Sequence, residues 1–179
     1  MKDWNIVVTI YQESFRRALR ALRGIGPAEP GPYHNVLVMK VDDPMAVLEA
    51  VERLTEERPA LYDAIARVAP AMRTFDFSSA EGFKDNAKSV VLEWLPGLAG
   101  KSFHARLHRR GPQPGLHSPD VERFLNDVII EATAKAGLPG RISFTDPDAV
   151  IVIDTVDDRA GLALWTREDI ARHRLLRPD

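Results

Sequence analysis

Short β-branched runs alternate with stretches of helical periodicity along the chain, and most junctions carry proline or glycine. Residues 5–11 are apolar and β-branched, the mark of a short buried strand. Phe15, Ala18, Leu19, Leu22 and Ile25 then recur at helical spacing, with Arg16, Arg17, Arg20 and Arg23 mostly on the outer face and Gly24 and Gly26 as the stop. Residues 27–32 read as a turn and 33–41 as a second strand. Asp42 and Asp43 precede a helix with Pro44 in its first turn, an apolar stripe of Met45, Leu48, Val51 and Leu54, and an acidic back of Glu49, Glu52, Glu56 and Glu57. Pro59 kinks or breaks that helix, and Leu61, Ile65 and Val68 carry a helical spacing on to Pro70.

The second half repeats the alternation. A strand is expected at 72–77 and a helix over 79–95, with Phe83, Ala87, Val90, Val91 and Trp94 inward. A strand over 101–108 and a Pro/Gly-rich connection at 111–115 follow. Ser118 is the expected N-cap of the next helix, with Pro119 at its first position and Val121, Leu125, Val128, Ile129 and Ala132 buried. Short strands at 141–144, 149–154 and 159–165, the last two joined across Asp157-Asp158, and a helix from Thr166 complete the chain. This pattern predicts an α/β (α+β) sandwich rather than a bundle or a barrel. The order up to Phe77 suits a ferredoxin-like unit and the remainder a second α/β unit, with the boundary near Ser78: 1–78 and 79–179.

Composition narrows the partners. At 179 residues and 45% hydrophobic content the chain can bury an ordinary core, as one domain or two small ones. No apolar run approaches the roughly 18–20 residues that span a bilayer, and the N-terminus enters a strand rather than a signal peptide, so a cytoplasmic location is expected. With no cysteine, disulfides, thiolate nucleophiles and Cys-ligated zinc are excluded. A net charge of −2 and a pI near 6.2 exclude indiscriminate coating of nucleic acid; any such contact is a local patch.

That patch is legible at 101–111. Alternation puts Phe103, Ala105 and Leu107 on one strand face and His104, Arg106 and His108 on the other, while Lys101, Arg106, Arg109 and Arg110 bring four cations and no carboxylate.

These residues carry a resemblance. Lys101, Phe103, Ala105, Arg106, Arg109, Arg110 and Gly111, then Ser118, Asp120, Val121, Glu122 and Arg123, then Thr145-Asp-Pro-Asp148 before a strand, then 161–164 as a further strand, look like a THUMP domain, a tRNA-binding module of RNA-modifying enzymes. The likeness covers roughly the last hundred residues, and a ferredoxin-like unit usually precedes such a domain. Where the family often has a glycine in the helix after the Glu-Arg pair, this chain reads Phe124-Leu-Asn-Asp-Val128. The resemblance implies a non-catalytic protein that binds the acceptor stem and 3′ end of tRNA and presents it to a separate enzyme. The free-standing family member it most resembles assists an acetyltransferase in N4-acetylcytidine formation. It implies no cofactor. The RNA-binding residues expected on this basis are Lys101, His104, Arg106, His108, Arg109, Arg110, Ser118 and Arg123, extended by Lys84 and Lys88 at i and i+4 of the preceding helix. Arginine suits this target because its planar fork meets two phosphate oxygens and stacks on unpaired bases, and helix-start amides around Ser118 could add a phosphate site.

Plainer readings stand beside these. Arg109 and Arg110 could pair with Asp120 or Glu122, and Arg123 with Asp127 at i+4. The arginines of the first helix read first as a solvated face. His104 and His108 lie about 13 Å apart by strand rise, too far to share a metal. No P-loop, Gly-x-Gly-x-x-Gly, Gly-x-Ser-x-Gly or His-Glu-x-x-His motif occurs, and Asp157-Asp158 reads as turn chemistry. Two rivals follow: a ferredoxin-like regulatory or oligomerisation module without RNA, its cationic strand face covered by another subunit, and a small enzyme using Asp154, Asp157 and Asp158.

Overall fold

A computed structural model describes residues 1–179, and the chain divides into two compact units. The first holds Met1–Met72 and Arg172–Arg177, the second Arg73–Ala171 and Pro178–Asp179. The division falls between Met72 and Arg73 rather than near Ser78, because the strand that follows pairs inside the second unit.

The first unit runs β1 (Ile6–Ile10), α1 (Phe15–Arg23), β2 (Ala28–Pro30), β3 (Val36–Met39), α2 (Pro44–Glu57), the single turn α3 (Pro59–Tyr62) and β4 (Ile65–Pro70). Its sheet order is β2-β3-β1-β4, and each pairing is antiparallel. A β-α-β-β-α-β chain in this order is ferredoxin-like. β1 is flanked by β3 and β4, and its residues are apolar almost throughout rather than alternating. Asp43 caps α2 by accepting from the Ala46 amide at 3.1 Å, with Pro44 in the first turn.

Two expectations fail here for one reason. The segment read as a turn holds β2, and the helical spacing of Leu61, Ile65 and Val68 belongs to α3 and then to β4. In both, pairing with an existing strand decided the backbone: β2 with β3, β4 with β1. The outer edge of β4 is covered by the chain's end, where the Val68 amide donates to the Leu175 carbonyl at 2.8 Å and the Arg67 guanidinium to the carbonyls of Leu176 and Arg177.

The second unit runs β5 (Arg73–Asp76), α4 (Ala80–Glu93), β6 (Ser102–His108), α5 (Ser118–Lys135), β7 (Arg141–Ile142), β8 (Ala149–Val156), β9 (Arg159–Thr166) and α6 (Arg167–Arg172, whose last residue falls in the first unit). The strand order is β5-β9-β8-β6-β7, with β6 parallel to β7 and β8. A parallel β6–β8 pair requires a crossover, which α5 supplies. Phe83, Ala87 and Val91 of α4 and Val121, Leu125 and Ile129 of α5 join Phe103, Ala105, Leu107, Ile151 and Ile153 in one buried core. The expected strand at 141–144 shortens to two residues. No helix is long and apolar enough to cross a membrane.

Candidate nucleic-acid interface

β6 organises the site. Beyond Phe103 its edge has no strand partner, because β7 pairs only with Ser102 and Phe103. Two side chains of α5 take over. Asn126 Oδ1 accepts from the Ala105 amide at 2.9 Å and Glu122 Oε1 from the Leu107 amide at 2.8 Å. Four residues of helix rise about 6 Å and two residues of strand about 6.6 Å, so an i, i+4 pair on the helix meets an i, i+2 pair on the strand. Glu122 is thus spent on the β6 backbone. The sequence showed the Glu-Arg pair but no sign of Asn126 in this role.

The outward face of β6 is not the open cationic surface that alternation suggested. His104 is only 1% exposed, and its ring faces the Ser143 carbonyl through Nδ1 at 2.9 Å and Asp179 Oδ1 through Nε2 at 3.3 Å. Arg106 remains partly exposed, with Nε and Nη2 each 3.1 Å from the same Asp179 oxygen. His108 Nε2 donates to the Pro178 carbonyl at 2.8 Å. Phe103, Ala105 and Leu107 face the buried core of the second unit, and on the opposite row His104 is buried while Arg106 and His108 are half-buried. Residues of the chain's own end, Pro178 and Asp179, lie against this face.

Arg109 and Arg110 diverge. Arg109 is exposed, and its guanidinium makes no hydrogen bond or ion pair. Arg110 turns inward to Asp154 on β8, Nη1 to Oδ1 2.9 Å, with the two side chains 15% and 5% exposed. Neither Asp120 nor Glu122 is the partner. The turn Asp157-Asp158 does join β8 to β9, with Asp157 at φ 53°, and its amide donates to the Arg110 carbonyl. Asp154 is therefore a buried counter-charge set apart from the turn aspartates.

At the start of α5 the cap residue is His117, with no side-chain cap bond, and Ser118 is already inside the helix. Ser118 cannot cap because the chain becomes helical one residue earlier than expected. Arg123 is exposed and unpaired, so the i+4 pair with Asp127 does not form. On α4, Lys84 lies with Nζ 5.5 Å from the centre of the Phe124 ring of α5, and Lys88 is exposed. The Glu131 carboxyl is held below the usual carboxylate range chiefly by its bond from Lys135, with a smaller contribution from Lys88. Lys101 is exposed at the other end of β6, about 26 Å from Arg109 by strand rise, with Arg141 beside it in register with Ser102. Of the ten expected residues, Lys101, Lys88, Arg109 and Arg123 are exposed, Lys84, Arg106, His108, Arg110 and Ser118 are half-buried, and His104 is buried. In the first unit Arg16, Arg17 and Arg20 are exposed and unpaired, while Arg23 Nε donates to the Ala28 carbonyl.

A ferredoxin-like unit followed by α4, β6, α5, β7, β8 and β9 is a THUMP-type α/β architecture. Solved structures share it. PH1313 from Pyrococcus horikoshii matches 90% of this chain and 54% of its own length at a TM-score of 0.62 and 14% identity. TrmN from Thermus thermophilus matches 89% and 44% at 0.58 and 18%. A 4-thiouridine synthetase solved as an RNA complex with bound ATP matches 90% and 41% at 0.52 and 11%. At such identities the likeness is one of fold, and this chain spans about half or less of those proteins. No protein-family model matches the sequence, and no curated protein does.

Proposed function

We propose that this chain is a tRNA-binding unit that holds the acceptor stem and 3′ end for a modifying enzyme, its own part being positional rather than catalytic. The observation that carries the reading is the fold shared with a 4-thiouridine synthetase solved with RNA, on which Arg109 and Arg123 stand exposed without partners. Free guanidinium groups beside a loop and a helix start suit phosphates, which fix register while the chemistry occurs elsewhere. Cytidine N4-acetylation by a separate acetyltransferase is the reaction selected by the family resemblance.

The rival of a regulatory module without RNA gains nothing from the β6 face, since Asp179 and Pro178 of the same chain lie on it. The test is binding of bulk tRNA, with and without its 3′ CCA end, to wild type and to Arg109→Ala/Arg123→Ala at two salt concentrations. Binding weakened by salt, by the substitutions and by loss of the end supports the proposal. No binding at low salt overturns it.

A further inference from the structure

The strongest unassigned feature is the anion already seated on β6. Asp179 Oδ1 meets three nitrogens, Nε and Nη2 of Arg106 and Nε2 of His104, and the imidazole beneath it is buried and fixed by the Ser143 carbonyl. A carboxylate held this way marks a preformed place for an oxyanion, since guanidinium forks accept phosphate as readily as carboxylate. The same imidazole touches a second group. Phe144 lies with its ring centre 5.3 Å from that of His104 and is 66% exposed, the most exposed of the large apolar side chains. One buried ring thus joins an anion position to an open aromatic face. Arg141 lies exposed, and the β7 register puts it beside Ser102, on the face that carries His104 and Arg106. An exposed ring among cations suits an unpaired nucleotide, whose base stacks while its phosphate pairs.

We propose that Arg106 and His104 form an RNA phosphate site now occupied by the chain's own Asp179, and that Phe144 stacks the base of the same unpaired nucleotide. This rests on the tRNA-binding reading and places the single-stranded 3′ end. The Arg106–Asp179 pair is 39% and 55% exposed, so it is a weak contact that a phosphate can replace. The acidic residue then acts as a placeholder that strands compete away, leaving Arg106 ordered between encounters.

The experiment measures binding of a five-nucleotide single strand ending in CCA, and of a blunt RNA duplex, to wild type, Asp179→Asn, Phe144→Ala and Asp127→Asn. The last makes the same charge change at an exposed residue of α5. Asp179→Asn should tighten the single strand about two- to fivefold beyond the Asp127→Asn control, the range an exposed ion pair represents. Phe144→Ala should weaken the single strand about fivefold or more and leave the duplex unchanged. An Asp179→Asn effect no larger than the control overturns the phosphate exchange. Unchanged strand binding by Phe144→Ala overturns the stacking and gives the ring to a protein contact. Cytidine monophosphate binding tighter than the strand overturns the RNA assignment in favour of free nucleotides. Whole tRNA held through Arg109 and Arg123, with neither new variant mattering, defeats this subsite alone; no RNA binding by wild type defeats it together with the wider reading.

Discussion

Arg110 and Asp154 hold each other at 2.9 Å across 44 residues of sequence, joining the loop after β6 to the neighbouring parallel strand β8. The aspartate is 4% exposed, and that guanidinium is one of the groups paired with it. Arg110→Ala removes a cation paired with a buried carboxylate and should cost about 3 kcal/mol of stability. Arg110→Met/Asp154→Leu removes both charges and should recover most of that loss. Urea unfolding of the two variants checks both, and an Arg110→Ala loss under about 0.5 kcal/mol sinks the assignment.

Arg109 and Arg123 make the opposite prediction. Neither has an intramolecular partner, so Arg109→Ala/Arg123→Ala should change unfolding by less than about 0.5 kcal/mol. If each meets one phosphate, the slope of log affinity for tRNA against log salt should fall by about 1.4 to 1.8 in magnitude. A variant that binds tRNA with the wild-type slope removes these residues from the interface.

Gly140 is held by space rather than by a special backbone angle. A Cβ there would come within 2.8 Å of Phe103 Cε1 and 3.2 Å of the Lys101 carbonyl oxygen. Phe103 is fully buried and cannot retreat. Gly140→Ala should destabilise by about 1–3 kcal/mol, read as a lowered midpoint in urea.

Asn126 stands in for a strand. Replacing it with leucine leaves the Ala105 amide buried without an acceptor, at a cost of about 1–3 kcal/mol. Hydrogen exchange at that amide should speed up more than at Ile151 of β8, which keeps its strand partners on β6 and β9. Equal exchange at both positions in the variant contradicts the role.

Asp148 gives the chain an acid-sensitive contact. Its carboxyl is held below the ordinary range first by the Ser102 backbone amide and then by the Ser102 hydroxyl, at 2.9 and 3.1 Å, with smaller help from Arg167 and Arg141. A depressed folded-state pKa means the contribution is complete above the unfolded value, about 3.9, and is lost as pH falls from there through the folded value. Thermal unfolding of wild type and Asp148→Asn should therefore differ most at neutral pH and converge below pH 4. A gap that stays constant with pH contradicts this.

Element types along most of the chain were legible because they rest on local chemistry: β-branched runs for β1 and β8, the Asp43-Pro44 start of α2, and the spacing of Phe83, Ala87, Val90 and Val91 in α4. The THUMP-type order was legible through the family resemblance, whose motif residues lie on consecutive elements. The misses are elements whose backbone was chosen by a distant partner. β2 and β4 carry no strand signal of their own and exist because β3 and β1 offer free edges. The site divided along the same line. Sequence determined which cations gather near β6. Tertiary structure alone decided which of them stay free: Asp154 and Asp179 lie far from Arg110 and Arg106 in sequence, and an ion pair depends on distance in space. Arg109 and Arg123 were left exposed because nothing folded back to meet them.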